Sequence, residues 1–143
     1  GFATIGFDKM NQLRHLRFFD GKFENLVEHM KKHKELIAPK FAIVVNTLEK
    51  ELSDLGIASW SNPQGGYFIS FNQKGCAKRI VQLCKEAGVV LTGAGASFPY
   101  GVDPEDENIR ISPTFPTEAE LQKAMDVFVC SAKLAAAEKL LAE

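Results

Sequence analysis

The chain has 143 residues, of which 45% are hydrophobic, so it is long enough for one compact domain with a core of its own. Its 17 basic and 18 acidic residues give a net charge of −1, which excludes the strong positive field typical of proteins that bind nucleic acid or anionic membranes. No apolar run approaches the roughly 20 residues that a bilayer-spanning helix needs. We therefore expect a soluble protein without nucleic-acid or membrane partners.

Two further expectations follow from the cysteines and from the first residue. Cys76, Cys84 and Cys130 form no C-x-x-C pair, and an odd number in a chain of this size favours reduced thiols and a cytoplasmic location. The chain begins with Gly1 rather than methionine, and its first six residues resemble the continuation of an earlier segment. We expect a fragment of a longer protein.

A short helix is predicted from Lys9 to Phe19. Asp8 is a good N-cap for it, because its carboxylate can accept a hydrogen bond from the first turn. Asp20 and Gly21 form the turn that ends it.

A long helix is predicted from Phe23 to Leu55, where apolar residues recur at steps of three, four or seven, as in one buried helical stripe. Pro39 removes one backbone donor and crowds the preceding turn, which predicts a kink or two abutting helices there. Gly56 ends the helix.

A hairpin and a third helix follow. Ile57–Trp60 and Tyr67–Phe71 are predicted strands, and the proline and glycines between them favour a turn. Apolar residues from Cys76 to Ala87 line one face of a helix that Gly88 can end in a left-handed conformation.

The rest of the chain predicts two short strands, a long loop and a final helix. Val89–Thr92 and Asn108–Ser112 are the strands, and the glycine- and proline-rich segment Gly93–Glu107 between them has the length of a functional loop. Thr117 and Glu120 form a capping box that begins the last helix, whose apolar face continues nearly to the end of the chain. The elements predict an α+β fold, in which a small mixed or antiparallel sheet packs against helices that include a long kinked N-terminal helix and a C-terminal helix.

Two motifs have part of the pattern of a ligand-binding site. His29 and His33 lie four residues apart on a predicted helix, as in some zinc enzymes, but no third ligand stands at a recognisable spacing, so we predict no metal site. Gly93-Ala94-Gly95 follows a predicted strand as in a dinucleotide-binding motif, but Phe98 stands where the third glycine is needed and Pro99 where a helix should begin. We predict neither ligand.

Arg110 is the candidate binding residue that the strand pattern indicates. Ile109 and Ile111 share one face of the predicted strand, so Arg110 points the other way, together with Asn108 and Ser112. A guanidinium on a rigid strand can bind a carboxylate through two parallel hydrogen bonds. From the residues alone, a solvated or ion-paired surface arginine is the commoner outcome.

Three segments are similar, in order and spacing, to landmarks of the fold-type-I pyridoxal-phosphate (PLP) aminotransferases. They are N-P-Q-G-G-Y-F-I-S at 62–70, V-V-L-T-G-A-G-A-S-F at 89–98 and N-I-R-I-S at 108–112. The segments at 3–6 and 11–15 further resemble a bacterial subgroup of aspartate-aminotransferase-like enzymes related to the aminotransferase domain of MocR-type regulators. The resemblance covers nearly the whole chain and implies the small C-terminal domain of such an enzyme.

The resemblance also implies roles for individual residues. In that family the arginine of the N-I-R-I-S-like strand binds the α-carboxylate of the substrate, and Arg110 occupies its position. Gly93 stands where the subgroup usually has proline. No lysine here matches the one that forms a Schiff base with the cofactor, which in the family precedes the region where Gly1 begins, so no catalytic residue is assigned. The residues matching segments that border the active-site cleft are Gly65, Gly66, Tyr67, Gly95, Ser97 and Phe98.

For the whole enzyme, the resemblance implies amino-group transfer between an amino acid, aspartate or another dicarboxylic one, and a 2-oxo acid, with PLP as cofactor and a homodimer as the assembly. Residues 1–143 would be a single domain, with 1–55 a helical connection from the missing large domain and 56–143 an α+β core. We expect the isolated chain to be inactive, to bind no cofactor and to expose an apolar patch of Phe98, Tyr100 and Phe115. The alternative is a free-standing α+β module that binds a small carboxylate or a protein partner without catalysis.

Overall fold

The computed structural model of the chain describes residues 7–142. The chain divides into two compact units, the first ending at Ile37 and the second beginning at Ala38. The predicted division at Leu55, between a helical connection and an α+β core, stays a prediction. In chain order the helices and strands are α1 (Lys9–Phe18), α2 (Phe23–Leu52), β1 (Ser59–Trp60), β2 (Ile69–Asn72), α3 (Ala77–Glu86), β3 (Asn108–Ile111) and α4 (Glu118–Ala142).

The first unit contains α1 and the beginning of α2. The Asn11 N–H donates to the Asp8 carboxylate at 3.0 Å, which confirms the predicted N-cap. Asp20 and Gly21 have φ of 52° and 62°, and this left-handed pair turns the chain after α1. No residue of α1 is buried, and the Phe18 ring contacts the His29 ring at 5.5 Å between centroids.

Helix α2 is continuous from Phe23 to Leu52, so the predicted alternative of two helices abutting at Pro39 is wrong. Proline removes only one donor from the helix, and the residue four positions earlier, Glu35, is exposed, so water can satisfy its carbonyl. A short 3₁₀ turn follows the helix, and Gly56 with φ of 63° ends it as predicted.

A three-stranded antiparallel sheet with the order β1-β2-β3 forms the second unit's framework. The predicted hairpin is confirmed, with Trp60 paired to Phe71, although both of its strands are shorter than predicted. Strand β3 pairs with β2, and Arg110 lies opposite Ser70. The predicted α+β class with a small sheet is therefore confirmed.

The predicted strand at Val89–Thr92 is wrong, because this segment has no strand assignment. A strand needs a neighbouring ladder of backbone hydrogen bonds, and within residues 7–142 the sheet contains only β1, β2 and β3. On the side of β3 away from β2, the Gly95 N–H donates one long bond of 3.4 Å to the Asn108 carbonyl. Val90 is 84% exposed, as an unpaired segment at the surface allows.

The core of the second unit is formed by one apolar face of each of its helices together with the apolar faces of β2 and β3. Phe71 of β2 meets Phe128 of α4 edge to face, with ring centroids 4.9 Å apart. Cys76 and Cys84 are buried and Cys130 is exposed, all three as free thiols. None of the helices described for residues 7–142 is long and apolar enough to cross a bilayer. The largest buried core side chains are Val44, Leu48, Leu52, Ile69, Phe71, Ile80, Ile109 and Phe128.

Candidate carboxylate-binding site

Arg110 lies on the polar face of β3. Its neighbours Ile109 and Ile111 are buried in the core at 0% and 5% exposure, so alternation along the strand directs the arginine away from the core. Arg110 itself is half-buried. The orientation inferred from the alternation of residues 109–111 agrees with this geometry.

The guanidinium of Arg110 is stacked on an aromatic ring and forms no ion pair with the part of the chain that the structure describes. Its central carbon lies 4.3 Å from the centre of the Phe68 ring. The Nε atom is buried and has no hydrogen-bond partner among residues 7–142. None of the ion pairs formed within the same residues involves Arg110. A buried donor without a partner is costly, so this guanidinium is suited to an anionic ligand.

Asn108 links β3 to β2 beside Arg110. Its side-chain amide donates to the Ser70 hydroxyl at 2.9 Å and to the Asn72 side-chain oxygen at 2.7 Å. Asn108 is buried, and its Oδ1 has no hydrogen-bond partner within the described chain. The polar face of the sheet therefore consists of cross-linked amide and hydroxyl groups with a single guanidinium among them.

Asp103 is a residue of this region that the sequence reasoning missed. Its carboxylate accepts hydrogen bonds from the backbone N–H groups of Glu105 at 3.2 Å, Glu107 at 2.8 Å and Asn108 at 2.8 Å. These bonds, that of Asn108 above all, hold the pKa of Asp103 below its usual range against the opposing effect of burial. The available signal was an aspartate before Pro104 within a loop, a pattern typical of turns closed by the side chain.

Gly95 is the buried glycine of the long loop. It has φ of 77°, and a Cβ there would lie 2.7 Å from the carbonyl oxygen of Gly101. Only glycine fits this close approach of two backbone segments. Of its predicted cleft-lining neighbours, Ser97 is exposed and Phe98 is half-buried. No side-chain hydrogen bond within residues 7–142 joins either of them to Arg110.

The other predicted cleft-lining residues lie in the connection between β1 and β2. Gly65 and Gly66 are exposed, Gly66 has φ of 91°, and Tyr67 is 58% exposed. The next residue is Phe68, which stacks on Arg110, so the structure brings the end of this stretch to the arginine. The sequence reasoning missed Phe68, although the alternation placed it on the same strand face as Ser70.

The two histidines weighed as metal ligands lie together on α2. The rings of His29 and His33 have centroids 4.5 Å apart. Across residues 7–142, no cluster of three or more histidine, cysteine, aspartate or glutamate side chains has the arrangement of a metal site.

Comparison with known proteins identifies the family of this chain. The family model described as aspartate aminotransferase matches residues 1–143. The chain belongs to the aspartate aminotransferase family. Within this family, an aspartate aminotransferase of Corynebacterium glutamicum is 46% identical over 139 residues, which cover 96% of this chain and 32% of that protein. A Mycolicibacterium smegmatis protein, provisionally named an aminotransferase, is 52% identical over 144 residues, which cover 100% of this chain and 33% of that protein.

Solved structures of aminotransferases share the fold of this family member. The crystal structure of an aspartate transaminase from C. glutamicum matches with a TM-score of 0.87 at 46% identity, over 97% of this chain and 33% of that one. The α-aminoadipate aminotransferase of Thermus thermophilus matches with a TM-score of 0.67 at 17% identity, over 80% of this chain and 29% of that one, and this likeness concerns the fold alone. The chain thus spans about a third of the length of the relatives that it matches.

Proposed function

We propose that this chain is the small C-terminal domain of a PLP-dependent aminotransferase, in which Arg110 binds the α-carboxylate of the substrate. The observation that carries the proposal is the half-buried Arg110 guanidinium, which stacks on Phe68 and has a buried Nε without a partner among residues 7–142. The whole enzyme would transfer an amino group between aspartate, or another dicarboxylic amino acid, and a 2-oxo acid. The name of the C. glutamicum relative supports this choice of substrate.

The polar face of the sheet around Arg110 is better suited to bind a substrate carboxylate than to bind the cofactor. It offers one guanidinium among neutral amide and hydroxyl groups, and a single cation of this kind suits a single carboxylate. When bound, PLP would take up the negative charge that develops at the substrate's α-carbon. We place the residues that hold PLP outside this chain, since none of its lysines matches the Schiff-base position of the family. The isolated chain would therefore neither bind PLP nor catalyse transamination.

Arg110 would act by fixing the orientation of the amino acid. Its planar fork can bind both carboxylate oxygens, which restrains rotation of the substrate about its α-carbon and sets which bond is presented for reaction. The Phe68 ring covers one face of the guanidinium, so it restrains the plane of the fork and limits access of water to that face. Residues 65–67 and 95–98 would border the cleft.

Two further proposals concern the full-length protein. The three free thiols, two of them buried, support a reducing compartment, and we propose the cytoplasm. We propose a homodimer on the basis of the family resemblance. A concentration-independent monomer of the full-length protein in sedimentation experiments would contradict the dimer.

The role of Arg110 is tested by substitution in the full-length protein that carries this chain. Arg110→Ala should lower kcat/KM for aspartate by about 100-fold, because hydrogen bonds between charged groups are each worth about 1.5–3 kcal/mol. Arg110→Lys should lose less, since it keeps the charge without the fork. Lys123→Ala, which removes an exposed cation of α4, is the matched control and should leave kcat/KM unchanged. An Arg110→Ala enzyme with unchanged kcat/KM would show that the carboxylate is bound elsewhere.

A further inference from the structure

The turn that precedes β3 is restrained from within by the side chain of its first residue, Asp103. The Asp103 carboxylate, in a residue only 8% exposed, accepts three backbone hydrogen bonds from Glu105, Glu107 and Asn108. Hydrogen bonds to a charged acceptor are roughly twice as strong as neutral ones. Beside one backbone bond of 3.3 Å from the Asp106 N–H to the Asp103 carbonyl, these three bonds are the internal restraint of the turn formed by residues 103–108.

The same turn is docked on the first residues of α3. The Asp106 carbonyl accepts from the N–H groups of Cys76 and Ala77, both at 2.9 Å, and the Asp106 carboxylate accepts from the Lys78 N–H at 3.1 Å. These bonds satisfy donors that the start of a helix leaves free. The far side of the turn is thus fixed to a packed helix, and Asp103 connects this fixed side to β3.

Strand β3 needs such a restraint at its start. It has only four residues and lies at the edge of the sheet, so within residues 7–142 its ladder is formed with β2 alone. The backbone N–H of Asn108, its first residue, donates to the Asp103 carboxylate, and the Asn108 side-chain amide donates to the Ser70 hydroxyl. Ser70 is in turn the cross-strand partner of Arg110, two residues along β3. A displacement of Asn108 would therefore move the strand that carries the guanidinium.

We propose that Asp103 is a positioning residue for Arg110. It touches no reacting group in this arrangement, and it acts by fixing the start of β3 so that the guanidinium keeps its place over Phe68. This inference rests on the proposed role of Arg110 in binding the substrate. Among residues 7–142 the Asp103 side chain bonds only the local residues 105, 107 and 108, so its removal would release the turn rather than open the core.

A double-mutant cycle in the full-length protein tests the coupling. Asp103→Ala should lower kcat/KM for aspartate about tenfold, since small displacements of a positioning group have large effects on rate. In an Arg110→Lys background the same change should cost less than about twofold, because the fork that Asp103 orients is already lost. Asp103→Asn should lower kcat/KM less, by about threefold, since its amide oxygen can still accept from Glu107 and Asn108 but no longer carries the charge.

A change that acts only on stability provides the control. Arg79→Gln breaks the ion pair that joins α3 to α4 through Glu138, and its effect on kcat/KM should be the same in both backgrounds.

Equal losses of kcat/KM from Asp103→Ala in both backgrounds would overturn the inference. If Arg110→Lys itself leaves kcat/KM unchanged, the proposed function fails and the inference fails with it. If Asp103→Ala does not fold, Asp103→Asn decides: a loss of about threefold supports positioning, and an unchanged kcat/KM overturns it.

Discussion

The guanidinium carbon of Arg110 lies 4.3 Å from the centre of the Phe68 ring, which precedes β2 directly. The contact joins the candidate ligand-binding residue to the end of the connection between β1 and β2. Phe68 is 43% exposed, so the aromatic ring contributes to the surface on which a ligand would lie. An arginine stacked on an aromatic ring in this way is restrained by a contact to the face of the guanidinium, which leaves the N–H donors in its plane free to bind a ligand.

Removal of the Phe68 ring should weaken carboxylate binding while leaving the fold intact. Phe68→Leu abolishes the cation–π contact, which is worth about 0.5–2 kcal/mol, so the KM of the full-length protein for aspartate should rise between about twofold and thirtyfold. Phe68→Tyr keeps the ring and should behave as the unaltered protein. Equal KM values for the leucine and tyrosine variants would show that the contact is incidental.

Gly95 should be the least tolerant glycine of the long loop. Gly95→Ala places a Cβ 2.7 Å from the Gly101 carbonyl oxygen at a φ of 77°, and it should lower the free energy of unfolding by more than about 1 kcal/mol. Gly93→Ala is the matched control, because no atom lies within 4 Å of the Cβ position and its φ is not left-handed. It should raise the free energy of unfolding by up to about 1 kcal/mol. Urea denaturation of both variants measures the difference, and equal midpoints would contradict it.

The ion pair between Arg79 and Glu138 predicts a dependence of stability on pH. The Arg79 hydrogen bond holds the pKa of Glu138 below its usual range, and burial opposes this only in part. A carboxyl with a lowered pKa in the folded state stabilises the protein above its unfolded pKa of about 4.5, and this contribution is lost as the pH falls through the folded pKa.

The unaltered protein should therefore be more stable than Glu138→Gln above about pH 5, and the difference should shrink as the pH falls through the lowered pKa of Glu138. Thermal unfolding across this range is the measurement. Glu35→Gln, at an exposed position of α2 without an ion pair among residues 7–142, is the control and should show no such convergence. A stability difference that persists undiminished at pH 3 would rule out the pair as its cause.

The exposed aromatics of the second unit should promote self-association of the chain. Tyr100 and Phe115 are fully or almost fully exposed, whereas Phe98, predicted to join them in one patch, is half-buried. A Tyr100→Ser, Phe115→Ser double variant should therefore bind less hydrophobic dye and show a weaker concentration dependence in sedimentation velocity. Leu55→Ser, which removes an apolar side chain that is 50% exposed elsewhere in this unit, is the control. Self-association unaffected by the double variant would place the contact surface elsewhere.

Local patterns in the sequence were sufficient to predict the helices and the strand face on which Arg110 lies. Helix ends depend on short-range chemistry, and the Thr117–Glu120 capping box forms as predicted, with the Thr117 N–H donating to Glu120 at 2.9 Å. The face of Arg110 depends on the two-residue period of a strand between two buried isoleucines.

Features that depend on contacts between residues far apart in the sequence could not be predicted from local patterns. Val89–Thr92 has the composition of a strand, but pairing requires a neighbour that composition does not specify. Leu140 and Leu141 extend the apolar pattern of α4, yet they are 70% and 89% exposed because no described element covers that end of the helix within residues 7–142. The stacking of Arg110 on Phe68 likewise depends on the register between β2 and β3, which brings together residues 42 positions apart.

The unequal burial of the three cysteines makes α4 a place to attach a reporter. Burial raises the pKa of the Cys84 thiol, and a protonated thiol in the core reacts slowly with maleimides or iodoacetamides. Cys76 is buried as well, whereas Cys130 is exposed on α4. A fluorophore or spin label added to the native chain should therefore couple at Cys130 alone, without prior removal of the other thiols. From there it would report on the second unit while the residues around Arg110 remain unaltered.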